Sequence, residues 1–138
     1  MREYNARAGH LFVYERFQGG KNMKKISITD VNAYSAPGHF DMTAFRLQGK
    51  DETGIQQFWM GKSFFLPGGG ADWAYEDNPL EKVYYVLKGE MTVKSKTETF
   101  VLKEGDSIFI GPNEGREIKN EGRSVCEMLV VISTKAPE

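Results

Sequence analysis

Short stretches of alternating apolar and polar residues run through most of the chain, separated by turn-forming residues. Alternation puts successive side chains on opposite faces of a sheet, so each stretch predicts a β-strand with one buried face. No stretch has the period of a useful amphipathic helix. Many short strands between Gly and Pro turns predict an all-β sandwich or barrel. The predicted strands are 24–30, 39–47, 57–66, 83–87, 91–94, 98–102, 107–110, 116–119 and 125–132.

Two of these strands, 57–66 and 125–132, carry apolar side chains on both faces. In the first of them, Phe58 and Phe64 alternate with Trp59 and Phe65. A strand of this kind suits a position between a barrel interior and the surface of a partner. We therefore expect a homodimer.

Turn signals mark the ends of the strands. Residues 67–70 read Pro-Gly-Gly-Gly, which predicts a break after strand 57–66, and residues 50–54 read as a solvated hairpin loop. Gly89 supplies the positive φ that a tight hairpin between strands 83–87 and 91–94 would need. Loops at strand ends, such as 68–79, are where binding sites usually lie.

The composition argues against several classes of partner and function. A chain of 138 residues predicts one domain, and a net charge of −1 argues against a nucleic-acid or anionic-membrane partner. No apolar run approaches the roughly 20 residues that span a bilayer. The single cysteine, Cys126, excludes an internal disulfide and suits a reducing compartment, so we expect a cytoplasmic protein with an inert core thiol.

Residues 1–22 differ in pattern from the rest and form an N-terminal extension to a domain at 23–138. Residues 10–14 predict a short strand within it. One interpretation is an artefact of an upstream start, because Gly19–Gly20 can be encoded by a ribosome-binding-like sequence ahead of Met23. The other is a genuine edge strand or dimer arm.

Two glycine-framed blocks, 70–89 and 105–120, resemble the two sequence motifs of the cupin superfamily. The resemblance covers roughly residues 40–133 and implies a single-domain jelly-roll β-barrel. The residues that match the frame of the motifs are Gly70, Gly89, Gly105 and Asn120.

The resemblance also locates the positions at which cupins hold a metal with His and Glu side chains. Lys82 stands at the Glu position and Arg116 at the second-motif His position. The remaining two His positions fall on Tyr75 and Asp77, or with the shorter spacing on Glu76 and Asn78. Lys and Arg offer a metal no lone pair at neutral pH, so we expect neither a metal nor a cofactor at this position.

If position 82 faces the interior as in the family, strand parity turns Lys82 and Tyr84 inward, and Arg116 likewise. The resulting pocket is predicted to be lined by Tyr75, Asp77, Lys82, Tyr84 and Arg116. Arg116 offers a bidentate fork and Lys82 a point charge for an anion, which predicts binding of a small polar or anionic molecule.

Several alternatives stay open. Lys82 and Arg116 could instead form internal ion pairs that fill a vestigial pocket, with Asp77, Glu81 or Glu114 as the carboxylates. A carboxylate-only metal site is an alternative to a solvated acidic loop for Asp72, Glu76, Asp77 and Glu81.

Enzymatic functions are also open as alternative hypotheses. A metal-independent isomerase, epimerase or lyase would use Lys82 or Tyr84 as acid or base and Arg116 as anchor, because burial near a cation makes a lysine a usable base. His39, at the start of a strand, is either a general base at the barrel mouth or a turn histidine. A metal-dependent dioxygenase-like cupin would need ligands that this sequence does not supply.

Overall fold

The computed structural model describes residues 2–7, 10–15 and 23–138. The first two ranges are strands β1 (Arg2–Arg7) and β2 (His10–Glu15), which pair antiparallel in a separate two-stranded sheet. The remaining strands form one eight-stranded sheet that curves into a nearly closed barrel, which confirms the all-β prediction. They are β3 (His39–Gln48), β4 (Phe58–Ala74), β5 (Lys82–Lys88), β6 (Glu90–Lys94), β7 (Thr99–Lys103), β8 (Ser107–Ile110), β9 (Arg116–Lys119) and β10 (Cys126–Ser133).

Strand β4 joins the two halves of the barrel. Its first half pairs with β10 and its second half pairs with β9, while β3 pairs with residues in both halves. The strand does not end at residues 67–70 as predicted, but its pairing with β3 is irregular there, and Gly68 has a positive φ of 87°. Gly70 serves close approach: a Cβ on it would lie 2.0 Å from the Ile118 carbonyl oxygen of β9.

The connection at Gly89 is a corner rather than the predicted hairpin. Gly89 does adopt a positive φ of 78°. However, β5 pairs with β10 and β8, whereas β6 pairs with β7 and β9, so the chain crosses from one half of the barrel to the other. A Cβ at this corner would lie 2.6 Å from the Val125 carbonyl oxygen, so glycine is needed for space as well as for conformation.

Two further expectations for local structure were wrong. Residues 24–30 form no strand; a 3-10 turn, Ile28–Asp30, closes there when the Ser27 amide donates to the Asp30 carboxylate at 3.2 Å. The predicted loop after β3 contains one helical turn, Lys50–Thr53, which the ion pair between Arg46 and Glu52 ties to β3 at 2.9 Å. In the ranges that the structure describes, no helix is long and apolar enough to cross a membrane.

The predicted parity of the inward faces is confirmed. In β5, Lys82, Tyr84 and Val86 are buried while Val83 and Tyr85 are exposed. Among residues 23–138, most of the buried side chains are apolar, and the two buried charged groups, Lys82 and Arg116, lie against the ring of Tyr75, the residue after β4. The apolar core consists mainly of Phe65, Val86, Met91, Val93, Leu102, Ile110, Ile118, Cys126, Met128 and Ile132.

Candidate functional site

A cavity of about 80 Å³ opens within the barrel among strands β3, β4, β5, β9 and β10. Its walls are aromatic and aliphatic, with a few polar groups among them. The lining residues are Tyr34, Ala36, His39, Met42, Trp59, Ser63, Phe65, Tyr75, Tyr84, Arg116, Ile118, Met128, Val130 and Ile132. An apolar enclosure with a few convergent polar groups is the usual form of a small-molecule site.

Arg116, the first residue of β9, is the charged group of this cavity. Its side chain is only 2% exposed. Its Nε donates to the Tyr84 hydroxyl at 2.9 Å, and its Nη1 donates to the Asp72 carbonyl oxygen at 2.9 Å. Among the residues that the structure describes, no carboxylate lies within ion-pairing distance of it. The guanidinium has five N–H donors, so its two bonds to described residues leave part of its hydrogen-bonding capacity unused within residues 23–138.

Tyr84, on β5, is buried beside Arg116 and lines the same cavity. Burial raises the pKa of its hydroxyl, although the neighbouring Arg116 cation opposes that shift. The hydroxyl oxygen accepts the Arg116 hydrogen bond and keeps its own proton. Tyr84 therefore has an O–H group to donate to a ligand.

Lys82 is not among the residues that line the cavity. The side chain is completely buried, and its Nζ donates to the Leu80 carbonyl oxygen at 2.8 Å. The ammonium also lies 4.5 Å from the centre of the Tyr75 ring, and the Arg116 guanidinium carbon lies 4.7 Å from that centre. Burial, and then the Arg116 charge, lowers the pKa of the Lys82 ammonium. One aromatic ring thus contacts both buried cations.

Tyr75 holds an unusual backbone conformation for a bulky residue. Its φ is +74°, in the left-handed region that favours glycine. Its carbonyl oxygen accepts the Asn78 amide at 3.2 Å, which closes the turn that follows β4. Strain of this kind persists only where the surrounding structure fixes it, and it is concentrated at functional sites.

His39, at the start of β3, lines the cavity and is only partly exposed. Its Nδ1 lies 3.0 Å from the Pro37 carbonyl oxygen, so Nδ1 carries the proton and Nε2 carries the lone pair. Burial lowers the pKa of the imidazole; the Arg116 charge acts in the same direction, while the Pro37 hydrogen bond and Asp72 oppose it. His39 is therefore neutral at neutral pH.

The cavity assembles some of the predicted site residues and leaves others out. Tyr75, Tyr84 and Arg116 line it together with His39, whereas Lys82 does not line it and contacts the Tyr75 ring. Asp77 is exposed and does not line it. The alternative ion pairs from Lys82 and Arg116 to Asp77, Glu81 or Glu114 are not formed.

The sequence interpretation missed the part of the wall that comes from outside the two motifs. Trp59 and Ser63 enter from the inward face of β4, and their shared parity was the available signal. Tyr34 comes from the segment before β3 and packs edge-on against Trp59, with ring centroids 6.4 Å apart. No periodic pattern marks that segment.

The comparison with known families decides the assignment. A family model described as "Cupin domain" matches residues 63–132, which contain β5 to β9 and most of β10. The chain belongs to the cupin family. A β-D-galactosidase of Mycobacterium tuberculosis is 33% identical to this cupin over 116 residues, covering 84% of this chain and 98% of that protein.

Two further proteins extend the comparison. The 3-hydroxyanthranilate 3,4-dioxygenase of Burkholderia cenocepacia is 31% identical over 97 residues, which cover 64% of this chain and 53% of that enzyme. The solved structure of the polyketide cyclase RemF from Streptomyces resistomycificus superposes with a TM-score of 0.71 and 26% identity, covering 85% of this chain and 83% of the cyclase. Cupins similar to this one thus include proteins named as enzymes of different kinds.

The residues at the cupin metal positions do not fit a divalent cation. Lys82 and Arg116 present N–H donors, and their observed bonds go to carbonyl and hydroxyl oxygens. Within the described ranges, no three His, Cys, Asp or Glu side chains are grouped closely enough to hold a metal ion. Asp77, the one carboxylate in the longer spacing, is exposed. We therefore derive no chemistry through a metal at this position.

Proposed function

We propose that this cupin binds a small anionic molecule, most simply a carboxylic acid, in the barrel cavity without a metal. The observation that carries the proposal is the burial of the Arg116 guanidinium, at 2% exposure, with no carboxylate partner among the described residues. A second buried cation, Lys82, lies against the same Tyr75 ring. Unpaired buried charges are energetically unfavourable, so an anion would stabilise this arrangement.

The size and surface of the cavity narrow the class of ligand. An engineered cavity of about 150 Å³ holds benzene, so the roughly 80 Å³ of this cavity suits a molecule of a few heavy atoms, or one end of a larger molecule. A carboxylate can accept two parallel hydrogen bonds from a guanidinium. The Tyr84 hydroxyl would serve a second oxygen, and Trp59 and Tyr75 offer flat apolar walls.

A titration with small acids tests the proposal. Formate, acetate, glycolate, pyruvate and 2-oxobutyrate would be titrated calorimetrically and by thermal shift into wild type and Arg116→Gln. We expect at least one acid to stabilise the wild type and to lose most of its affinity in the variant. Arg123→Gln removes an exposed arginine and is the matched control.

Two results would count against this function. If no acid binds, or if Arg116→Gln binds as tightly as wild type, the guanidinium does not select an anion. Elemental analysis of protein purified without a metal-affinity tag is expected to give well under one transition metal per chain. Stoichiometric metal would favour the dioxygenase-like alternative instead.

The second candidate function is a metal-independent isomerase, epimerase or lyase. It is supported by one specific observation, the neutral His39 imidazole in the wall that also contains Arg116 and Tyr84. Hydrolysis of a galactoside by the usual pair of carboxylates is not supported, because no Asp or Glu of residues 23–138 lines the cavity. Hydrolysis of a nitrophenyl β-galactoside that disappears in Tyr84→Phe or Arg116→Gln would contradict this choice.

We also propose that the outer face of the sheet forms a homodimer interface. Val83, Tyr85 and Phe109 are 39%, 39% and 58% exposed on neighbouring strands β5 and β8. Lys62 and Glu127 pair with each other at 2.8 Å on the same face, so they leave no net charge there. Light scattering after size exclusion is expected to give a dimer for wild type and for Thr99→Glu but a monomer for Tyr85→Glu. A monomeric wild type would contradict the proposal.

A cytoplasmic location is part of the same proposal. It is supported by the single buried thiol of Cys126, which suits a reducing compartment. Fractionation of cells that express the native gene tests it, and recovery outside the cytoplasm would contradict it.

A further inference from the structure

We propose that His39 is a general base, which takes a proton from the carbon next to the carbonyl group of a small 2-oxo acid bound by Arg116. The inference rests on the proposed anion binding and deepens it into a reaction class, the enolisation of the bound acid. It is carried by the geometry of the cavity. An imidazole, a guanidinium and a phenol all line one cavity of about 80 Å³, so the three groups are available to a single small molecule.

The base and the anchor are fixed by the same residue. The Asp72 amide donates to the Gly38 carbonyl oxygen at 2.9 Å, immediately before His39. The Asp72 carbonyl oxygen accepts the Arg116 Nη1 hydrogen bond at 2.9 Å. Both contacts use the main chain of residue 72, so they do not depend on the rotamer of the Asp72 side chain. The backbone next to His39 and the Arg116 guanidinium are therefore tied to one residue, and the Pro37 hydrogen bond orients the imidazole before any ligand enters.

The tautomer of His39 suits the role of a base. Nδ1 donates its proton to the Pro37 carbonyl oxygen at 3.0 Å, so Nε2 is the ring nitrogen that can accept a proton. Partial burial beside Arg116 keeps the imidazole in its neutral form, which is the form that a base requires.

The proton and the electrons have defined destinations. His39 Nε2 takes a proton from C3 of the 2-oxo acid, and the electron pair of that C–H bond forms the C2–C3 double bond. The π electrons of the C2 carbonyl move onto its oxygen, where the Tyr84 O–H group donates a hydrogen bond. Arg116 holds the carboxylate throughout. Return of the proton from the imidazolium to C3 regenerates the base, so no oxidant or reductant is needed.

Lys82 is not the base in this scheme, although it is a buried amine. Its ammonium donates to the Leu80 carbonyl oxygen and lies against the Tyr75 ring, outside the cavity wall. Its charge instead adds to the positive potential that favours an enolate over the neutral ketone.

Hydrogen–deuterium exchange tests this assignment. Pyruvate and 2-oxobutyrate would each be incubated with the protein in D₂O, and the loss of the C3 proton signal followed by NMR. Wild type is expected to accelerate exchange above a protein-free control. His39→Asn keeps an N–H that can reach Pro37 but removes Nε2, so we expect exchange to fall about 100-fold or more with binding retained. His39→Gln is the second variant, and His10→Gln, which removes the other histidine, is the control.

The outcomes separate the inference from the function on which it rests. Loss of exchange in both His39 variants with calorimetric binding intact supports His39 as the base. Binding by wild type without accelerated exchange, or exchange at the wild-type rate in His39→Asn, overturns the inference and leaves the anion-binding function standing. Failure of wild type to bind either acid counts against the inference, and failure across the whole acid series overturns the binding function as well.

Discussion

Asn120 and Arg116 lie on the same inward face of the same segment, yet their hydrogen bonds differ. Asn120 is fully buried, and its amide group donates to the Phe65 and Ser124 carbonyl oxygens and accepts the Gly122 amide. Arg116 is almost as deeply buried, yet it has two protein hydrogen bonds and no countercharge among the described residues. A buried polar group whose hydrogen bonds are made within the protein stabilises the barrel. A buried polar group with unused donors marks a place where a ligand would supply the missing acceptors.

Asn120→Ala is expected to give the largest effect. It removes three hydrogen bonds and leaves buried carbonyl and amide groups without partners, so we expect the free energy of unfolding to fall by about 2–4 kcal/mol. Denaturant titration measures this, with exposed Asn32→Ala as a control. A loss below about 1 kcal/mol would show that the Asn120 bonds do not hold the barrel.

Arg116→Met should behave in the opposite way. Removing a buried cation offsets the loss of two hydrogen bonds, so we expect the unfolding free energy of the ligand-free protein to change by less than about 1 kcal/mol. Affinity for the best small acid is expected to fall about 10- to 100-fold. A stability loss as large as that of Asn120→Ala would mean that Arg116 is structural, and the contrast between the two residues would disappear.

Tyr84→Phe tests the contrast between Asn120 and Arg116 by removing a single oxygen atom beside Arg116. The substitution leaves the buried ring and removes the oxygen that accepts the Arg116 Nε hydrogen bond at 2.9 Å. We expect a loss of about 1 kcal/mol in unfolding free energy and weaker acid binding, because the freed guanidinium also loses its orientation. Tyr85→Phe, on the outer face, should change neither quantity.

The pH dependence of His39 is expected to be the smallest effect. Its pKa is lowered from 6.5 chiefly by burial, and Arg116 adds to the shift while Pro37 and Asp72 oppose it. The folded protein binds this proton less tightly than the unfolded chain, so protonation of His39 lowers the unfolding free energy. The contribution of the neutral imidazole to stability is therefore complete above pH 6.5 and is lost as pH falls through the folded-state pKa. His39→Asn should therefore flatten the decrease in stability below pH 6.5. The difference should stay below about 1 kcal/mol, since the imidazole is partly exposed.

Strand identity and facing were predictable because they depend on local alternation. The inward set Lys82, Tyr84 and Val86 follows from parity once one residue is assigned to the interior. How the chain connects one strand to the next was harder to predict from the sequence. Glycines at 68–70 and at Gly89 look the same in sequence whether they end a strand, close a hairpin or admit a neighbouring backbone, and the structure shows the last of these uses at Gly70.

The sequence motifs predicted which positions belong to the candidate site, but not which of their side chains line the cavity. Arg116 and Tyr84 line the cavity, while Lys82, two residues from Tyr84 with the same parity, does not, and its ammonium lies against the Tyr75 ring. Tyr75 has a left-handed backbone conformation, and no sequence rule predicts a bulky residue there. His39 enters the site through a turn that only the tertiary structure positions.

The peptide groups of Asp72 link the turn before His39 to Arg116 through the main chain alone. A library of substitutions at this exposed position would therefore preserve the spacing of the two functional groups across almost every amino acid, with proline, which lacks the N–H, as the exception. Residue 72 is thus a place where the side chain can be varied while the framework of the cavity is left undisturbed.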